Sequence, residues 1–265
     1  MAVIETHELR RTFKTRKETV EAVQGINLRV QAGEIFGFLG PNGAGKTTTM
    51  RILATLMPPT SGSAQVAGYD LARQPGSVRQ HIGYVGQVGG AEGSATGYEN
   101  LLLQGRMYHM DKTAAETRAK ELVQALDLES FSERLARTYS GGQRRRLELA
   151  LGMMNKPKLL FLDEPTTGLD PQTRAHLWDE IRRLREGGTT IFLTTHYLEE
   201  ADELCDRIAI IDHGQIVGEG TPETLKQQIA GDIITLALEA ESMVRAQNVL
   251  TNQAYVREIH PLGDG

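Results

Sequence analysis

The stretch Gly40-Pro41-Asn42-Gly43-Ala44-Gly45-Lys46-Thr47 fits the pattern G-x-x-x-x-G-K-[ST]. It lies between a predicted strand, Glu34–Leu39, and a predicted helix, Lys46–Leu56, which Pro58-Pro59 stops. Glycines at these positions let the backbone curl until successive N–H groups point at one anion, and the helix N-terminus adds its positive end. Lys46 supplies a full charge for β- and γ-phosphates, and Thr47 a hydroxyl able to ligate Mg²⁺. A glycine turn matching by chance is the rival reading. The strand–loop–helix context argues against it, and requires a chain that sets an open loop on a sheet edge.

The remaining pattern agrees with an α/β protein, in which short apolar runs alternate with helical spacing. Ile26–Gln31 alternates with a period of two, and further strands are predicted at Ser63–Ala67, Ile82–Gly86, Lys158–Asp163, Thr189–Thr194 and Arg207–Asp212. Gln215–Gly218 follows His213-Gly214 as the second arm of a hairpin. From Tyr98 to Asn155 only helices are expected, over Tyr98–Met110, Thr113–Leu126 and Gly142–Met154. This region reads as a helical insertion, entered through Gly86–Gly97, whose Gly, Ala and Ser content suggests a flexible hinge. Residues 1–230 form one domain in this reading. Residues 231–265 are the start of a small, truncated C-terminal segment, with a strand at Ile233–Glu239 and a helix at Glu241–Thr251.

Composition narrows the function. With 29 Lys and Arg against 34 Asp and Glu in 265 residues, the net charge is −5, which disfavours a nucleic-acid binder. No apolar run approaches the roughly 20 residues of a membrane helix, and the opening MAVIETHELRR lacks the apolar core of a signal peptide. Cys205 is the single cysteine and reads as a buried small hydrophobe; Trp178 and Met153-Met154 read as core.

Two further segments carry chemistry. Leu159-Leu160-Phe161-Leu162-Asp163-Glu164 is an apolar strand ending in two carboxylates, which places both at a sheet's carboxyl edge, where α/β ligand sites lie. Asp163 suits a direct or outer-sphere Mg²⁺ contact, and Glu164 a general base for an attacking water. Ser140-Gly141-Gly142-Gln143 opens a helix and offers a second anion-receiving N-terminus; an ordinary N-cap is the competing reading. The following Arg144–Arg146 triplet reads as a solvated helix face.

In order, GPNGAGKTTTM, YVGQ, YSGGQRRRLELA, LLFLDEPTTGLD and LTTH strongly resemble the ATP-binding subunit of an ATP-binding-cassette (ABC) transporter, over about Leu9 to Leu225. The resemblance implies the ABC type of P-loop NTPase: an α/β fold with a mixed sheet core, an antiparallel β part and a helical subdomain insertion. It implies that Gly40, Asn42, Gly43, Ala44, Gly45, Lys46, Thr47 and Thr48 form the Walker A loop and Leu159–Glu164 the Walker B strand. Gln87 then reaches Mg²⁺ and the lytic water, and His196 the γ-phosphate. Ser140, Gly141, Gly142 and Gln143 form the signature that contacts ATP held by the opposite subunit, and Asp170 sits in a loop crossing the dimer interface. Phe13 takes the place of the aromatic that stacks on adenine, where Tyr is commoner. Out of context, Gln87 would be a polar loop residue, Asp170 a helix N-cap before Pro171 and His196 a core histidine.

The signature usually begins with Leu, and this chain has Tyr139. With RRRLELALGMM and LTTHYLEEAD, that departure resembles the daunorubicin/multidrug-resistance exporter branch. The implied protein is a Mg²⁺-dependent ATPase that dimerises around two ATP molecules at the cytoplasmic face of the membrane. It would power export of a drug, antibiotic or lipid-like compound through a separate integral membrane permease, as a homodimer or heterodimer and without nucleic acid. Three rivals are weighed. An importer ATPase differs in its partner. A soluble ABC ATPase acting on DNA or the ribosome usually carries a second cassette or a long coiled coil. A mononucleotide kinase has no reason for SGGQ or His196.

Overall fold

A computed structural model describes residues 1–14 and 18–230, and beyond them only 246, 249, 250 and 253. The chain divides into two units, Met1–Leu225 and Lys226–Gly265. The predicted strand at 233–239 lies outside the described residues; so does the helix at 241–251, apart from residues 246, 249 and 250, which are helical.

The first unit contains two sheets. Two long strands, β1 (Ala2–Lys14) and β2 (Thr19–Gln31), pair antiparallel and join β4 (Ser61–Val66) and β5 (Tyr69–Asp70) in the order β2-β1-β4-β5. The second sheet holds β3 (Ile35–Leu39), β6 (Ile82–Val85), β7 (Leu159–Asp163), β8 (Thr190–Thr195), β9 (Arg207–Asp212) and β10 (Gln215–Gly220). Its order is β10-β9-β3-β8-β7-β6, with β9 through β6 parallel and β10 antiparallel at the edge. The expected mixed α/β architecture with a separate antiparallel part is therefore present.

Central parallel strands are covered on both faces, so they are apolar throughout rather than alternating. All five residues of β3 and of β7 are buried, as are all six of β8. Alternate side chains feed two cores. Phe36, Phe38, Phe161 and Phe192 point to the side of helix α1 (Lys46–Leu53) and the antiparallel sheet. Ile35, Leu39, Leu160, Leu162, Ile191 and Leu193 point to the other side. Phe192 stacks on Phe36 at 5.7 Å and meets Phe161 edge-on at 5.6 Å, so three strands interlock through one ring.

Helices α2 (Pro75–His81), α3 (Gly97–Met107), α4 (Lys112–Ala125), α5 (Gly141–Gly152), α6 (Pro171–Glu186), α7 (Leu198–Leu204) and α8 (Pro222–Ala230) complete the described elements, with a 3-10 turn at Ala136–Thr138. Between β6 and β7 the described elements are helical, and Leu101, Ala119, Leu122, Leu147 and Leu149 carry the second core into this region.

Four expectations need correction. Helix α1 ends at Leu53, not Leu56, because Thr55 turns into the left-handed region (φ 60°) before the prolines. No strand is expected before Ile26, yet β1 and the first half of β2 are there. The segment after Gln87 is tied down rather than a free hinge: Asn100 is buried, accepts from Glu92 N (2.7 Å) and donates to Glu92 O (3.0 Å), and Arg137 N donates to Gly93 O (3.1 Å). The arginine triplet is not one solvated face, because Arg145 is only 7% exposed.

Candidate active site

The strand order brings four loops into one row. The carboxyl ends of β3, β8, β7 and β6 lie side by side and lead respectively into the Gly40–Thr48 loop, His196, Glu164 and Gln87. In the chain the same strands occur in the order β3, β6, β7, β8, so Lys46, Gln87, Glu164 and His196, successively 41, 77 and 32 positions apart, become neighbours only through the sheet.

The Gly40–Thr48 loop owes its shape to two close approaches. Gly45, the N-cap of α1, has φ 106°, and a Cβ there would lie 2.4 Å from Ala22 O. A Cβ on Gly40 would lie 2.2 Å from Ile211 O. Neither position tolerates a side chain. No side chain caps α1 and its first turn holds no acid, so its N–H groups remain available to an anion. Lys46 is buried and donates to Gly40 O (2.8 Å) and Pro41 O (3.1 Å). Asn42 and Gly43 are exposed, Ala44 is buried, and Thr48 is half-buried beside Thr47.

Asp163, fully buried, ends β7 and accepts on Oδ1 from Thr47 Oγ1 (3.0 Å) and Thr194 Oγ1 (2.6 Å); its Oδ2 has no hydrogen-bond partner. Burial, followed by the Asp163 charge, pushes the Tyr84 phenol on β6 above its ordinary range.

Glu164 is the hub. Its backbone is left-handed (φ 46°), an uncommon conformation for a non-glycine residue, held by hydrogen bonds from Glu164 N to Thr194 Oγ1 (3.0 Å) and Thr194 O (3.1 Å). On Oε1 it faces Lys46 Nζ at 3.4 Å and His196 Nδ1 at 3.3 Å. Oε2 accepts from Gln87 Nε2 (3.2 Å) and Thr167 Oγ1 (3.3 Å). Thus Lys46, Gln87, Asp163, Glu164 and His196 come together. Among the described residues, Phe13, Ser140–Gln143 and Asp170 make no hydrogen bond or ion pair with them.

Ser140 and Gln143 instead form a capping box on α5: Gln143 N donates to Ser140 Oγ (3.3 Å) and Ser140 N to Gln143 Oε1 (3.1 Å). Ser140 and Gly141 are exposed, and Gly142 packs against Thr173 of α6. Asp170 caps α6 through Thr173, whose hydroxyl and N–H hold its carboxyl below the ordinary range. Phe13 lies on β1 opposite Val20, with the Arg11 guanidinium 4.8 Å from its ring centre. Tyr139 anchors the loop before Ser140: it donates to Phe131 O (2.7 Å) and meets that ring edge-on at 4.9 Å.

Sequence reasoning missed Arg145. It lies four residues after Gly141 and turns inward to the loops that carry Gln87 and Glu164. An Arg and a Glu three apart on one helix, Arg145 and Glu148, was the available signal.

The family model described as ABC transporter matches residues 23–167. The chain is 48% identical over 231 residues to the daunorubicin/doxorubicin resistance ATP-binding protein DrrA of Streptomyces peucetius, covering 87% of this chain and 70% of that protein. It is 40% identical over 218 residues to the linearmycin resistance ATP-binding protein LnrL of Bacillus subtilis (strain 168), covering 82% and 70%. Among solved structures, a dimeric post-hydrolysis state of the ATP-binding cassette MJ0796 bound to ADP and Pi superposes with a TM-score of 0.75 at 26% identity, covering 83% of this chain and 98% of that one.

Proposed function

The chain belongs to the ABC transporter family, whose ATP-binding cassettes are ATPases coupled to transport, and from that premise we propose how its residues bind and hydrolyse ATP and what they drive. Two copies close around two Mg-ATP molecules. Each nucleotide lies between the Gly40–Thr48 loop of one copy and Ser140–Gln143 of the other, with Asp170 at the seam and Phe13 against the adenine. The observation that carries this reading is the convergence of Lys46, Gln87 and His196 on Glu164 at the sheet's carboxyl edge.

The oxygen donors present fit Mg²⁺, a hard cation usually held by one or two carboxylates plus phosphate and water. Asp163 offers a buried carboxylate oxygen without a hydrogen-bond partner, and the Thr47 hydroxyl touches the same carboxylate. Thr47, Asp163 and Gln87 would hold the ion, which would offset negative charge on the phosphates.

The remaining work falls to the chain itself. Lys46 and the loop N–H groups position the β- and γ-phosphates. Glu164 accepts a proton from the attacking water, Gln87 fixes that water's place, and His196 contacts the γ-phosphate. Phosphoryl transfer depends chiefly on such positioning and electrostatics.

Among the described residues no helix is long and apolar enough to cross a membrane. In this reading the transported compound passes through a separate membrane permease, against which this subunit sits at the cytoplasmic face, as the relatives named as ATP-binding proteins favour. The related proteins named for resistance to daunorubicin, doxorubicin and linearmycin favour a drug, antibiotic or lipid-like compound as cargo, moved outward.

The test is Glu164→Gln in the full chain. With Mg-ATP it should lose turnover and shift from monomer to dimer in size exclusion with light scattering, while the parent shifts little. Near-parental turnover would remove Glu164 from the catalytic role.

A further inference from the structure

The middle of helix α5 carries a buried ion pair that faces the catalytic loops. The Arg145 guanidinium donates through Nε to Pro165 O (2.8 Å), through Nη1 to Gly86 O (2.9 Å) and Glu148 Oε2 (2.9 Å), and through Nη2 to Asp163 O (3.2 Å). Its three carbonyl partners are the residue before Gln87, the residue before Glu164 and the residue after Glu164. Glu148, also buried, closes the pair and lies against the backbone beyond Gln87: a Cβ on Gly89 would fall 1.6 Å from Glu148 Oε1.

Burying a guanidinium is costly unless its donors are satisfied, and here they are, by groups that belong to the catalytic loops. Only a planar fork with donors in several directions can span three carbonyls from two strands; a lysine ammonium, a compact point charge on a flexible stem, cannot match it. Glu164 sits in a left-handed backbone conformation between two carbonyls that Arg145 grips. Its contact with Gln87 (3.2 Å) joins the two loops that this guanidinium ties together.

We propose that Arg145, neutralised by Glu148, is a positioning residue that sets the relative placement of Gln87 and Glu164 and links it to the helix headed by Ser140–Gln143. A shift of that helix, as when Ser140–Gln143 engages a nucleotide, is passed to both hydrolytic groups through one guanidinium. The proposal rests on the reading that Gln87 and Glu164 act on ATP.

The experiment compares Arg145→Met, Arg145→Lys and Glu164→Gln in the full chain, reading kcat for Mg-ATP, Kd for ATP and the thermal midpoint. Because a displacement of about 1 Å in a catalytic group costs on the order of 10²-fold, kcat of Arg145→Met should fall by about that factor with Kd unchanged. Arg145→Lys should fall less, since it restores charge and one or two of the contacts. A parental kcat in a folded Arg145→Met, or losses in kcat and ATP affinity that run in parallel, would overturn the proposal. If Arg145→Met does not fold, Arg145→Lys decides by the same split: reduced kcat at constant Kd supports it, and parental kcat overturns it. Failure of the underlying reading shows separately, as parental turnover in Glu164→Gln.

Discussion

Lys46 Nζ lies 3.4 Å from Glu164 Oε1, and both side chains are nearly buried. The cation proposed to hold phosphate is thus paired with the base proposed to take a proton from the attacking water. Any phosphate that recruits Lys46 must draw it away from this carboxylate and from the Gly40 and Pro41 carbonyls. Binding and base activation are therefore opposed at one atom pair.

That opposition sets the signs for two variants. Lys46→Ala should weaken ATP binding and abolish turnover, because it removes the loop's only side-chain cation and leaves a buried carboxylate short of a partner. Glu164→Gln should bind ATP more tightly than the parent, by about 10-fold if releasing Lys46 is worth the ~1.5 kcal/mol of a hydrogen bond to a charged group. Hydrolysis in that variant should fall by ~10²–10⁴-fold, as expected for losing a general base. Calorimetric titration with ATP, paired with phosphate release, checks both; weaker binding in Glu164→Gln would show that the pair does not compete with the nucleotide.

Ser140→Arg should leave ATP affinity of a single chain intact while stopping hydrolysis. The reason is that Ser140 and Gln143 bond to each other rather than to the Lys46 loop. Affinity measured at low protein concentration, alongside steady-state turnover, separates the two; a proportional loss of both would place Ser140 in its own chain's nucleotide site.

Tyr139→Phe keeps the edge-on contact with Phe131 and removes only the hydroxyl that donates to Phe131 O. The Phe131 carbonyl keeps its hydrogen bond from Arg134 N (2.9 Å) and loses the one from the hydroxyl, so stability should fall by about 1 kcal/mol. Urea unfolding checks this. An unchanged midpoint would mean that the Arg134 N–H alone satisfies this carbonyl and that the hydroxyl adds nothing to stability.

Cys205 supplies a pH test. Its thiol is buried against Gly37, and burial first, then the nearby Glu200 and Asp206 charges, raises it above the ordinary thiol range. The unfolded chain therefore loses this proton at a lower pH than the folded one. Above the ordinary thiol pKa of about 8.5 the folded state binds more protons, so stability falls as pH rises, by up to ~1.4 kcal/mol per pH unit from this group. Cys205→Ala should flatten that part of the profile, measured by urea unfolding from pH 8 to 10.5. Identical slopes in the two proteins would show that the thiol does not ionise on unfolding.

Much of the molecule is written locally. The Gly45 turn into α1, the box between Ser140 and Gln143 and the apolar run of β7 each follow from residues within a few positions of one another. So does the β9–β10 hairpin, where His213 and Gly214 both have positive φ. Helix α6 was not among the expected helices, although Leu177, Trp178, Ile181 and Leu184 recur at helical spacing behind Asp170-Pro171. Strand β1 was not legible: register shifts between Thr6 and Leu9, and a left-handed Glu8 (φ 48°), break the period of two that would announce it.

The sequence by itself determined which segments bury apolar faces and which loops bear phosphate-binding or acidic groups, because those depend on spacing along the chain. Only the tertiary structure decided that β8 lies between β3 and β7, so that Lys46, His196 and Glu164 meet, and that Arg145 turns inward while Arg144 stays in solvent. Periodicity marks a face as buried but does not name its neighbour. Strand order and the fate of a charged side chain are settled by which elements pack together and which polar groups that packing leaves to be satisfied.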